Sequence, residues 1–106
     1  MKTLHLVLKH KWYDLIDCGA KTSEYRACTP YWNQRMLGKW YNARRDYAGD
    51  NNLYVGNPDL FDVVVFHRGY TAQTMQFHII SIHTTTKPND LHENKCWEIQ
   101  LGERLA

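Results

Sequence analysis

Nowhere does the chain hold 18 consecutive apolar residues, so it offers no helix that spans a membrane. Its first residues, MKTLHLVLKHKWYD, lack the long apolar run of an export signal. Three cysteines, Cys18, Cys28 and Cys96, cannot all pair with one another, and CxxC does not occur. That pattern argues against a disulfide framework and a zinc ribbon. HExxH is also missing, and the six histidines form no motif. His92 and Cys96 have ligand spacing only on a helix, whereas that stretch reads as the start of a strand. His78 and His83 stand an odd step apart, which on one strand sends them to opposite faces. Ser23 and Ser81 fall in strand-like segments without the elbow sequence that exposes a nucleophile. Cys18, at a helix end before glycine, reads as a small core residue. These absences lead us to expect a cytoplasmic protein with reduced thiols, no metal and no cofactor.

What is present is ordinary globular composition, 43% hydrophobic and 23% charged, with no internal repeat or low-complexity tract. At 106 residues, one domain spanning 1–106 is expected. A chain of this size buries roughly 60–70% of its unfolded surface and stands without staples. Four Trp and seven Tyr are many for so short a chain, so some rings should lie at a partly exposed surface. The net charge of +2 conceals an asymmetry: residues 1–45 hold nine Lys/Arg against three Asp/Glu, and residues 46–106 hold four against eight. A basic first half suits an anionic ligand near the N-terminal elements, but the balance falls far short of a strongly basic nucleic-acid domain.

"LHLVL" (4–8) reads as a buried strand. In "KWYDLIDC" (11–18), Trp12, Leu15 and Ile16 recur at helical spacing, and Gly19 stands where a left-handed residue ends the helix. "TSEYRA" (22–27) suits a strand. Thr29-Pro30 signals a second helix that Gly38 can close. Residues 39–60 are irregular, apart from a short strand at "LYV" (53–55). "DVVVFHRG" (62–69), "MQFHIISIHT" (75–84) and "KCWEIQL" (95–101) complete the strands. Five or six strands with two short helices near the N-terminus predict an α+β fold: a small, mostly antiparallel, partly closed β-barrel.

"GAKTSEYR" (19–26) concentrates Lys21, Glu24 and Arg26 in six positions. On a strand, Thr22, Glu24 and Arg26 share a face, with Glu24 and Arg26 roughly 6.5–7 Å apart. By themselves these residues are equally consistent with an exposed ion-pair ladder and with a binding floor. The G-x-K-x-x-E-x-R pattern of Gly19, Lys21, Glu24 and Arg26, following a strand and a helix, resembles the signature of the ASCH domain, a PUA-like domain. "LHLVLKHKWYDLI", "PYWNQRM", "FDVVVFHRGY" and "CWEIQLGERL" extend the resemblance over nearly the full length.

The resemblance implies a PUA-like pseudo-barrel whose cleft along the motif strand binds RNA, a nucleoside or a nucleotide. Arg26 and Lys21 would neutralise phosphate or hold a carbonyl oxygen. Glu24 would accept from an exocyclic amine. It also implies Arg68 and Tyr70, in "FHRGY", as a second wall. Trp40 would offer a stacking platform, with Tyr41, Arg44 and Arg45 beside it. The alternative is an enzyme acting on RNA or modified nucleosides, a ribonuclease or an N4-acylcytidine amidohydrolase, with Lys21 and Glu24 catalytic. One related branch of such enzymes carries Lys at the Lys21 position and Thr where Glu24 stands here; Thr22 falls two residues short. A protein partner at the aromatic loop is a third reading.

Overall fold

The structure is a computed structural model in which residues 2–41 and 53–106 are described. Strand β1 (Thr3–Leu8) buries Leu4, Leu6 and Leu8 and turns the residues between them outward, as a period of two requires. Helix α1 (His10–Asp17) buries Tyr13 and Ile16. It ends at Cys18, after which Gly19 takes φ +82°, a backbone that side-chain-bearing residues rarely adopt. Strand β2 (Ser23–Ala27) follows, then helix α2 (Pro30–Leu37). Thr29 caps α2 by accepting from the Trp32 N–H, and Pro30 sits where no donor is missed. A single 3₁₀ turn, Gly38–Trp40, extends α2. Strands β3 (Val63–Arg68), β4 (Thr74–Thr85) and β5 (Cys96–Arg104) complete the chain.

These strands form one curled, half-barrel sheet in the order β1-β3-β4-β5-β2. The β1–β3 pair is parallel and the other three are antiparallel. Chain order and sheet order thus part company: β1 and β2, neighbours in sequence, form the two edges. Curling brings both edges to one cleft.

Trp97, Tyr13, Phe66, Leu4, Met36, Met75 and Ile99 are the largest fully buried side chains. Burying each apolar one contributes roughly 1.5–3 kcal/mol. Trp97 also satisfies its indole N–H, which donates to Asn33 Oδ1 over 2.8 Å and ties β5 to α2.

Three expectations are corrected. "LYV" is not a strand, because Val55 makes only an isolated bridge to His83. Cys18 is exposed rather than in the core, its thiol donating to the Leu15 carbonyl at the helix end. The alternation that would part His78 from His83 fails, because β4 carries an irregularity between Ile79 and Ser81. His83 there lies opposite Glu98, while His78 lies opposite Val63. One extra residue resets the phase of everything beyond it.

Cys28 and Cys96 are buried, and burial first of all pushes the Cys96 thiol up to about 11, with Cys28 adding to it. Since the thiolate is the nucleophile, iodoacetamide at pH 8 should modify only Cys18 in the native protein and all three cysteines in denaturant. Intact-mass measurement of native protein carrying two or three adducts would contradict this packing. The same displacement makes native stability fall as pH rises from 9 towards 11, because the unfolded thiol ionises first.

Candidate functional site

The end of α1 and the strand after it set the site. The Lys21 N–H donates to the Leu15 carbonyl over 3.0 Å, which fixes the chain between Gly19 and β2. In β2, Glu24 pairs across to Ile99 and Arg26 to Trp97, both core residues. The Glu24–Arg26 face is therefore the concave one. Ser23 and Tyr25, opposite Gln100 and Glu98, alternate to the other face, although at this sheet edge Tyr25 also lines the cavity.

On the concave side Lys21 Nζ lies 3.0 Å from Glu24 Oε1 and is also bonded to the Asp90 carboxylate. Arg26 Nη2 lies 3.0 Å from Glu24 Oε2. The Lys21 and Glu24 side chains are 9% and 7% exposed, so a lone charge there would be strongly penalised. Each cation also rests against rings. Lys21 Nζ is 4.6 Å from the centre of the Trp12 ring and 5.5 Å from that of Tyr25, and the Arg26 guanidinium is 5.2 Å from Trp32. The Arg26–Glu24 approach is a charge contact without hydrogen-bond alignment, so Arg26 Nε and Nη2 both lack an acceptor.

These groups line a cavity of about 340 Å³, closed on one side by Val7, Leu8 and Lys9 at the end of β1 and on the other by Asp90 and Leu91. Asp90 and Leu91 belong to the β4–β5 connection, which the Asn89 side chain organises. Its amide donates to the carbonyls of Lys87 and Glu93, and its oxygen accepts from the N–H groups of Leu91 and Glu93. Two cations face two carboxylates, so the four groups carry no net charge. With Lys9 added, the cavity lining carries one net positive charge beside its rings.

The remaining candidates lie elsewhere. Thr22 is exposed and lines an adjoining hollow of about 320 Å³ beside Lys21, Ser23 and Asp90. Arg68 is engaged by Asp14 of α1 through two hydrogen bonds of 2.9 and 3.0 Å, which hold the Asp14 carboxyl below its ordinary range and raise the guanidinium. Tyr70, on the turn after β3, is 99% exposed, and neither residue lines the cleft. Trp40 is half exposed at the end of the 3₁₀ turn and also does not line it. Arg44 and Arg45 lie outside the described residues.

Sequence reasoning missed Trp12, Trp32 and Asp90. The two tryptophans carry helical spacing that reads as core, and Asp90 sits in a turn with no periodic signal. Compared with models of known families, with characterised proteins and with solved structures, the chain matches none.

Proposed function

We propose that the cleft between β1 and β2 binds the base of a nucleoside, free or in RNA, rather than a phosphate. The carrying observation is the mutually neutralised set Lys21–Glu24–Arg26–Asp90 walled by Trp12 and Tyr25, with Trp32 behind Arg26. A phosphate would have to displace Asp90 or Glu24 from a cation that it already neutralises. A base brings donors and acceptors in one plane. It can donate an exocyclic amine to Glu24, accept from the Arg26 guanidinium and lie against a ring.

Titration calorimetry with cytidine, adenosine and their 5′-monophosphates, each at two salt concentrations, tests this. The expected result is binding of at least one nucleoside with little salt dependence. The phosphate should improve binding by less than about tenfold, because the cleft releases few counterions. Arg26→Ala should weaken the same nucleoside by about tenfold or more through loss of a charged donor. A monophosphate preference that collapses with added salt, or binding indifferent to Arg26→Ala, would overturn the reading.

Turnover is not part of it. Hydrolysis of an N4-acyl group needs a positioned nucleophile, a base and oxyanion donors. Among the described residues the only hydroxyl lining the main cleft is that of Tyr25, and Lys21 and Glu24 are each engaged twice. N4-acetylcytidine incubated with the protein should therefore release no cytidine beyond the uncatalysed rate. Multiple turnovers lost in both Lys21→Ala and Glu24→Ala would make the enzyme reading correct.

A further inference from the structure

On the other edge of the sheet, facing away from the core, parallel pairing of β1 and β3 joins two histidines that stand 62 residues apart in sequence. His5 Nδ1 and His67 Nε2 are 3.0 Å apart, with ring centres 5.3 Å apart and ring planes tilted by 38°. His5 is exposed and His67 half-buried, so the pair opens to solvent. We propose that this pair is a two-histidine chelate for a divalent late transition-metal ion with ligands at right angles, Ni²⁺ or Cu²⁺.

The bite distance carries the choice. With metal–nitrogen bonds of about 2.0–2.1 Å, two ligands at right angles stand about 2.9 Å apart, and two at the tetrahedral angle about 3.4 Å. The hydrogen-bonded pair already holds the two nitrogens at 3.0 Å, so a right-angle chelate needs the rings to turn with their separation nearly unchanged. In the metal-free protein the two nitrogens share one hydrogen on the line between them. Binding moves that proton, through solvent, to the other nitrogen of the donor ring and turns both rings so that their lone pairs converge on the ion.

The strands set the spacing. Val7 lies opposite His67, so His5 is the diagonal neighbour two residues back on the same face. Among the described residues no group of three or more His, Cys, Asp or Glu side chains could hold a metal. Water therefore fills the other positions, leaving an open, exchangeable site. Imidazole nitrogen suits Ni²⁺ and Cu²⁺, and both stand high in the order of divalent affinities. No motif signals the pair, because only β-pairing brings the two residues together.

Ni²⁺ alone is the probe, since it does not oxidise the exposed Cys18. In NMR titration of the full chain, substoichiometric Ni²⁺ should broaden the ring resonances of His5 and His67 first. This readout needs no variant to fold. In calorimetry, His5→Gln and His67→Gln should each weaken Ni²⁺ binding by about tenfold or more, as loss of one chelate arm demands, while His92→Gln leaves it unchanged. Broadening centred on other histidines, or the same affinity in wild type and both Gln variants, would overturn the proposal.

Discussion

Trp97→Ala should destabilise the protein by about 3–5 kcal/mol, the largest loss expected from any single substitution considered. Trp97 is fully buried on β5. Its removal opens a void among Phe66, Ile99 and their neighbours, and it also deprives Asn33 Oδ1 of its donor. Asn33 is 3% exposed, so water cannot easily replace that bond. Domains of this size hold only about 5–15 kcal/mol in all, so the variant should unfold at much lower urea. Trp97→Phe separates the two effects: it keeps most of the apolar volume and should cost about 1–3 kcal/mol for the orphaned Asn33 oxygen. Equilibrium urea denaturation measures both. A loss under about 1.5 kcal/mol for Trp97→Ala would show that the core collapses around the void.

The second large effect is expected at Glu24. This carboxylate touches both Lys21 and Arg26, and Glu24→Ala leaves two cations with Asp90 alone. Breaking a fully buried pair costs about 3–5 kcal/mol. Arg26 is 22% exposed and Asp90 31%, so water recovers part of the loss, and about 2–4 kcal/mol is the discounted figure. Glu24→Gln keeps the shape and one acceptor, and should cost roughly half as much. A denaturation midpoint for Glu24→Ala close to wild type would mean that the four charges are screened as on an open surface. The desolvated, mutually paired charge set on which base recognition rests would then fall with it. The same variant should also lose nucleoside binding, because Glu24 is the acceptor for an exocyclic amine.

Lys21, Glu24 and Arg26 were legible because their arrangement is local. A helix that ends at Gly19 and a strand with a period of two place all three within reach whatever the rest of the chain does. The same holds for the Thr29–Pro30 cap of α2, for the buried leucines of β1, and for Trp97, Ile99 and Leu101 on one face of β5. Periodicity and capping act over four residues or fewer, so they can be read from four residues or fewer.

Long-range pairing decided the rest. That β1 lies beside β3 and far from β2 in the sheet turns Val7 and Lys9 into a wall opposite Arg26, and no short stretch records that order. Asp90 reaches Lys21 across 69 positions, from a loop held by Asn89. Arg68 and Tyr70 sit at the end of a strand that reads as a cleft wall. Yet α1 lies close enough for Asp14 to take the guanidinium, and the turn points Tyr70 into solvent. His5 and His67 meet for the same reason, through parallel pairing alone. Single-residue shifts had comparable force: the irregularity in β4 reverses the face on which His83 emerges. Sequence by itself determined which elements form and which charges cluster at β2. Tertiary structure decided which partners neutralise those charges, because a contact between distant segments depends on how the whole sheet curls, and no local pattern carries that.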